Sequence, residues 1–480
     1  MIKEILYDKI SPMTKRALPI ILYIALVLVN VCLAAQQPQI QSVSAIEPIK
    51  KDDCILILAP HPDDEAIGCA GIIQEAVSKG AKVKVAYLTN GDHNQVAFIV
   101  YAKRLPVMQR EFIHMGEVRK DEAIKAMGLL GLDKRDLVFL GYPDFGTLSI
   151  FKEVWQNAKP YKSMLTRISK VPYEENFSFG APYKGESILN DIEKLLKEYR
   201  PNKIFVTHPA DANVDHKAFY LFLQIALHDL EKVIPKPKVY PYLIHAIGWP
   251  LPRHYHPQLD LQPPCQFLGS EAEWYKFQLA PQQLDKKHQA ILCYRSQTSS
   301  SAFYLLAFAR KNELFGDYPE IELRQDTSLK QGFAGKRFGL SNMFSEPIDE
   351  ENDDETYVEN NKGQVSYELQ DNNLLVHIEK SKELNSRLSI QLYLFGYSQK
   401  VPFALMPKIR IITKHNKYRI FDGKKAMVTQ GVGLELNPDA LNLKVPLRLL
   451  GGPDFILAAV KTYAGILQTD TTSFRKINIQ

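Results

Sequence analysis

Two stretches of the chain end an apolar, β-branched run with His-Pro and then carboxylates: CILILAPHPDDEAIG at residues 54–68 and KIFVTHPADANVDH at residues 203–216. Imidazole and carboxylate together are the groups of metal binding and proton transfer. A catalytic zinc takes three nitrogen or oxygen ligands and keeps one position open for water. The adjacent pair Asp63-Asp64 suits a division of labour in which one acid binds metal and the other takes a proton from the water. Carboxylates ahead of a helix also act as ordinary caps that complement its positive end. DDE alone reads as such a cap. The coincidence of imidazole and carboxylate on two strands that a parallel sheet can set side by side argues for metal chemistry.

The elements that must position these groups alternate from about residue 51. Residues 54–59 read as a buried strand, 64–78 as a helix with Ile67, Ile72, Ile73 and Ala76 at helical spacing, and 82–89 as a second strand. Helices are expected near 119–130 and at 187–199, strands at 137–141 and 203–207, and a further helix from about Asp215. This order predicts an α/β fold with a mostly parallel sheet. Ligands of such sheets collect beyond the carboxyl ends of the strands, where both His-Pro segments fall. The long stretch between Phe145 and Gly185 is expected as a loop on the substrate side. The segment 239–256 begins as a strand and turns irregular at its prolines, and a helix over 284–296 closes the domain.

Beyond it the composition shifts. The acidic run at 347–361 reads as part of a linker, placed at 321–361. From 362 to 480 short β-rich runs separated by Asn, Asp, Gly and Pro predict an all-β, sandwich-like domain. Its aromatics Tyr393, Phe395 and Tyr397 serve either as sheet filler or as a sugar platform.

With 480 residues, 45% hydrophobic and 24% charged, the chain has the composition of a globular protein of two folded domains. The formal charge of +5 is small, and no long Lys/Arg stripe interleaved with aromatics stands out, so nucleic acid is not an expected partner. Residues 1–50 are read apart from the folded domains. Lys15 and Arg16 precede an uncharged apolar run at 17–35, which predicts either an export signal cleaved after Ala34 or a membrane anchor, with the rest of the chain outside the cytoplasm. Cys54, Cys69, Cys265 and Cys293 form no CxxC pair, and Cys32 lies in the apolar run, so no zinc-knuckle or redox motif is expected.

APHPDDEAIG, with DANVDH downstream, resembles the signature of the PIG-L/LmbE de-N-acetylases, zinc hydrolases that remove acetyl from N-acetylglucosamine units. The resemblance covers roughly residues 52–300 and extends to LTNGDHN at 88–94, RKDEAIKA at 119–126, FLGYPDFG at 139–146 and KHQAILCYRSQ at 287–297. It implies a Rossmann-like three-layer α/β/α deacetylase domain over 51–320, Zn2+ or another divalent metal, and a glycan or glycolipid substrate. Carried over by position, His61, Asp64 and His216 become the metal ligands and Asp63 the general base. The family often reads His-Pro-Asp-His at its second motif, and this chain has Asn213-Val214-Asp215-His216. Asn213 can donate a hydrogen bond to an oxyanion but cannot deliver a proton. Either Asp63 returns the proton it took, or His208 or His245 supplies one. Asp215 is expected to orient His216 or its helix, and Arg119 and Asp144 to line the sugar site or to be a surface ion pair and a turn aspartate. A glycan-binding protein without activity and a zinc amidase for a non-sugar amide are the other readings.

Overall fold

The computed structural model describes residues 43–103, 108–267, 272–324, 337–339, 364–379, 388–414, 417–428, 431–437, 440–464 and 467–480. The apolar run at 17–35 and the acidic run at 347–361 lie outside them. Among the described residues, no helix is long and apolar enough to cross a membrane.

The α/β part comprises β1 (Val43–Ala45), β2 (Cys54–Ala59), α1 (Asp64–Lys79), β3 (Lys82–Thr89), α2 (Gln95–Ala102), α3 (Gln109–Leu130), β4 (Leu137–Tyr142), α4 (Thr147–Glu153), α5 (Gly185–Tyr199), β5 (Lys203–Thr207), α6 (Val214–Asp229), β6 (Lys238–Tyr242), β7 (Trp274–Gln278), α7 (Pro281–Cys293), α8 (Arg295–Leu305) and β8 (Asn312–Gly316). Its sheet has the order β1-β7-β8-β6-β5-β2-β3-β4. The run β6-β5-β2-β3-β4 is parallel, and β8 joins it antiparallel to both β6 and β7. From β2 the chain winds outward through β3 to β4, then returns to lay β5 on the other side of β2. The order therefore reverses between β2 and β5, where an open crevice forms.

Strand β2 shows how sequence becomes layers. Its side chains alternate between faces. Ile55, Ile57 and Ala59 enter one core with Ile67 and Ile72 of α1, Met127 of α3 and Ile291 of α7. Leu56 and Leu58 enter another with Phe151 of α4, Ile188 of α5 and Phe222 of α6. Both faces are covered, which is why the strand reads as a continuous apolar run. Helix α3 starts ten residues earlier than the sequence pattern suggests, because Glu111 accepts from the backbone N–H of Met108 and closes the first turn. The stretch after Phe145 is no simple loop: it contains α4 and folds back so that Tyr173 and Asn176 reach Asp92 and Asn90 beyond β3.

The β-rich part is a sandwich. Its strands are β9 (Ile321–Leu323), β10 (Arg337–Gly339), β11 (Gln364–Gln370), β12 (Asn373–Glu379), β13 (Leu388–Tyr397), β14 (Lys408–Lys414), β15 (Lys417–Asp422), β16 (Lys425–Met427), β17 (Gly433–Leu436), β18 (Ala440–Pro446), β19 (Phe455–Ala464), β20 (Leu467–Thr471) and β21 (Arg475–Ile479). One sheet runs β10-β11-β12-β18-β17, and the other runs β16-β15-β14-β13-β19-β21-β9 with β20 beside β19. The segment expected as linker from 321 instead begins with a strand, since β9 pairs in parallel with β21.

At β13 the second sheet is buried on both faces. Ile390, Leu392 and Leu394 of β13 face the five-stranded sheet. Tyr393, Phe395 and Tyr397 point the other way, into the core that also holds Phe151 and Phe222. Phe395 lies 6.0 Å from Phe151 between ring centroids, and Phe403 5.6 Å from the same ring. These three aromatics are therefore packing residues against α4 and α6, and a sugar platform built from them is corrected by their burial.

Candidate metal centre

Three side chains converge at the crevice between β2 and β5. His61 lies in the turn after β2, Asp64 opens α1, and His216 sits in the first turn of α6. Oδ2 of Asp64 lies 3.3 Å from Nδ1 of His61 and 3.2 Å from Nε2 of His216, and the two nitrogens are 3.3 Å apart. Bonds of 2.0–2.1 Å to a tetrahedral zinc set its ligands about 3.3 Å apart, so the triangle has the edge such an ion needs. All three residues are buried.

The outer nitrogen of each imidazole meets carboxylate. Nε2 of His61 is 3.1 Å from Oδ1 of Asp144 and 3.2 Å from Oδ2 of Asp215. Nδ1 of His216 is 3.1 Å from Oδ2 of Asp211. For His61 an acceptor on the far nitrogen holds the proton there and leaves the inner lone pair for a metal, while Asp211 meets His216 as an ion pair without hydrogen-bond geometry. Despite burial, which opposes charge, Asp144 and the other carboxylates hold His61 well above the usual imidazole range. Burial lowers His216 too, but Asp211 and Asp64 raise it to about 9. Burial likewise raises Asp64, and the two imidazoles outweigh it, leaving the carboxyl far below its ordinary value. Asp211 falls to about 2 against its burial, with His216 and His245 beside it. Carboxylates thus outnumber imidazoles in a buried space, a balance a divalent cation would complete.

Asp63 stands beside this triangle with φ of 132°, a conformation rare for a residue with a side chain. Such a strain costs about 1–3 kcal/mol and persists only where the surroundings impose it. They do so here: Asp63 N–H donates to Oε2 of Glu65, and Nη2 of Arg119 lies 3.4 Å from the Asp63 carboxylate. Arg119, from α3, also donates to the carbonyls of Pro62 and Gly91. Gly91 has φ of +69°, and a Cβ there would meet Arg119 Nη1 at 2.1 Å, so the turn after β3 must be glycine for the guanidinium to pass. Burial raises the Asp63 carboxyl to about 7 against the pull of Arg119. Arg119 is therefore a buried strut of the site, and the surface ion pair expected as an alternative is corrected.

The remaining expected residues divide. Asp144 joins the centre through His61, and its other oxygen accepts from His93 N–H. Asp215 does not orient His216. It accepts from the backbone N–H of Phe145 and of Thr147 and from the Thr147 hydroxyl, and so locks the start of α4 against His61. The partner of His216 is Asp211, which also accepts from the N–H groups of Ile244 and His245. Its signal in the sequence was its place three residues after His208 in the same loop.

Asn213 is a helix cap: its side chain accepts from Asp215 N–H and commits its carbonyl there. His208 is not brought to the centre. It is fully buried, stacked on Trp274, and its Nδ1 accepts from Ala210 N–H. Burial depresses it to about 3, so it carries no proton to give at neutral pH. His245 does reach the centre, its ring 4.9 Å from that of His216. Tyr304 donates its hydroxyl hydrogen to Ile244 O, so its oxygen, 3.4 Å from Nδ1 of His245, is left to accept. That tautomer leaves Nε2 an acceptor, and burial with the neighbouring His216 lowers the imidazole to about 4. Neither His208 nor His245, the two imidazoles expected as proton donors, is therefore set up as one.

Residues 56–227 match the family model described as PIG-L: GlcNAc-PI de-N-acetylase. No curated protein matches the chain by sequence. Among solved structures, the chain is similar to a conserved protein from Thermus thermophilus, at 20% identity, 51% of this chain, 80% of that one and a TM-score of 0.30. It is similar to N,N'-diacetylchitobiose deacetylase from Pyrococcus horikoshii at 18% identity, 52% and 72% coverage and a TM-score of 0.31. The antimicrobial reagent A40926 pseudoaglycone deacetylase matches at 17% identity, 55% and 96% coverage and a TM-score of 0.34. Scores this low carry no weight for function. The motif residues His61, Asp63, Asp64 and His216 all fall inside the span, residues 56–227, that matches the PIG-L family model.

Proposed function

We propose that the protein is a divalent-metal hydrolase, with zinc as the metal, that removes acetyl from the amine of an N-acetylhexosamine unit on a glycan or glycolipid. The observation that carries this reading is the convergence of His61, Asp64 and His216 beside an unliganded, strained Asp63. A module that only binds sugar has no use for a free base beside three ligands.

His61, Asp64 and His216 would hold the metal, which when bound supplies Lewis-acid chemistry to the acyl oxygen and the attacking water. Asp144 and Asp215 keep the His61 proton on Nε2, and the charge of Asp211 beside Nδ1 of His216 favours the proton there, so the inner nitrogens face inward for a metal. Asp63 takes a proton from water as its oxygen adds to the acyl carbon. When the C–N bond breaks, Asp63 returns that proton to the departing nitrogen, giving a free amine and acetic acid, which ionises to acetate. A carboxyl raised toward neutrality suits a group that must both take and give. Arg119 fixes its direction, and the Nε2 lone pair of His245 accepts a hydrogen bond from the substrate.

The test is acetate release from a panel of N-acetylglucosamine compounds, with and without added zinc, beside Asp63→Ala. Metal-dependent release abolished in the variant supports the reading, whereas full activity in the variant removes the assigned base. We further propose that the chain works outside the cytoplasm. The support is the pair Lys15-Arg16 ahead of the uncharged run at 17–35. The intact mass of the mature protein decides between cleavage and anchoring.

A further inference from the structure

The segment around the β14–β15 hairpin is strongly basic. Residues 400–425 hold eight Lys or Arg and one acid, Asp422, a net +7 against +5 for all 480 residues. Strands β14 and β15 turn Arg410, Lys414, Lys417 and Arg419 of this segment to one face. Arg410 pairs with Phe421, Ile412 with Arg419 and Lys414 with Lys417 across the ladder. The alternate residues Ile409, Ile411 and Ile420 point into the sandwich core.

Three features of that face lack a structural explanation. Lys414 and Lys417 sit directly opposite each other, an arrangement that destabilises a sheet. Among the described residues, neither they nor Arg410 nor Arg419 has a carboxylate partner, and Nε of Arg410 is buried with no hydrogen bond. Both guanidiniums lie against one ring, Arg410 at 5.1 Å and Arg419 at 5.6 Å from the Phe421 centroid, which makes a flat, cationic surface with an apolar centre.

The face is joined to the metal centre by one short helix. Arg410 pairs across β13 with Tyr393, whose ring lies under Lys152 of α4, and Lys424 in the β15–β16 turn is 3.2 Å from Glu153 at the end of α4. The first residue of α4, Thr147, binds Asp215. The seven residues of α4 span about 10 Å.

We propose that the outer face of the β14–β15 hairpin binds an acidic polysaccharide and so holds a polymer beside the metal centre. Carboxylate or sulfate groups spaced along such a chain relieve the opposed lysines, and its sugar rings lie on the Arg410–Phe421–Arg419 surface. The choice of a polysaccharide over another polyanion rests on the reaction proposed above, whose substrate is a sugar amide. Binding itself is read without turnover. A chain that holds the polymer but releases no acetate refutes that reaction alone, and one that releases acetate but ignores the polymer refutes this proposal alone.

The experiment measures binding of the full chain to polygalacturonate, neutral dextran, duplex DNA and anionic phosphatidylserine vesicles at low and raised salt. The triple variant Lys414→Glu, Lys417→Glu, Arg419→Glu is measured alongside, with its thermal midpoint. The expected result is salt-sensitive binding of polygalacturonate, none of dextran, and a loss of about tenfold or more in the variant. If the triple variant fails to fold, the milder pair Lys414→Gln, Lys417→Gln must still weaken binding. Absence of polygalacturonate binding at low salt, undiminished binding by a folded variant, or tighter binding to DNA or vesicles overturns the proposal.

Discussion

Nη2 of Arg119 lies 3.4 Å from Oδ2 of Asp63, and the two side chains are 4% and 12% exposed. A guanidinium so placed favours the ionised carboxylate, and Asp63 can accept a proton only when ionised. Replacing Arg119 by Met removes that pull, so the Asp63 carboxyl rises further. The acid limb of kcat/KM should then move to higher pH in Arg119→Met. A pH profile with its acid limb unmoved would show that Arg119 does not act through Asp63.

Asp63 and His245 should differ in how much they matter. Loss of a positioned general base costs about 10²–10⁴-fold in rate, which is expected for Asp63→Asn with metal content unchanged. His245→Gln loses one hydrogen bond and should cost no more than about tenfold. Single-turnover acetate release from both variants checks this, and equal losses would restore His245 as a proton donor.

The outer carboxylates should act on the metal. Asp211→Asn takes the carboxylate charge from beside Nδ1 of His216, and Asp215→Asn takes one of two acceptors from Nε2 of His61. Loss of such a partner typically weakens metal binding 10–100-fold, and Asp211→Asn should lie at the upper end because, among the described residues, His216 has no second carboxylate on that nitrogen. Competition with a chelator measures the affinity. Stripping the metal should also lower the thermal midpoint, because a ligand at about 100 times its Kd stabilises by about 2.7 kcal/mol.

Lys408 gives a pH dependence of stability. It is buried between the sandwich and α4, donates to the carbonyls of Phe403 and Met406, and lies over the Phe403 ring. Burial lowers its amine to about 7. Between pH 7 and its ordinary value the unfolded chain keeps this proton and the folded chain does not, so stability rises with pH across that window and is flat below it. The rise is on the order of a few kcal/mol. Denaturant titrations of the wild type and Lys408→Met should diverge above pH 7, and parallel curves would place the charge elsewhere.

How much of this was legible is seen in β2 and β5. Their apolar runs and the His-Pro breaks after them determined two parallel strands and put His61, Asp64 and His216 at strand ends, because buried strands and helix starts are local patterns. The alternation of β13 likewise announced a strand, though its aromatics did not announce which partner covers them. The hairpin charge was also in the sequence, but its period of two hides a one-sided face until the strands pair.

The exchange of Asp211 for Asp215 marks the limit. They are four positions apart, Asp211 in the loop after His208 and Asp215 at the start of α6, so spacing cannot say which carboxylate meets which imidazole. That was decided when β2 came to lie between β3 and β5, bringing Thr147 and Phe145 from one side to take Asp215 and Ile244 from the other to hold Asp211. His208 and His245 were equal candidates as letters, and burial under Trp274 removed the first while Tyr304 fixed the second. The two motifs singled out His61, Asp64 and His216 through their resemblance to a family signature, and local chain geometry puts those three residues at strand ends and helix starts. Only the tertiary structure decided their partners, because those contacts join residues up to 154 positions apart, and the energy of a buried charge depends on everything around it.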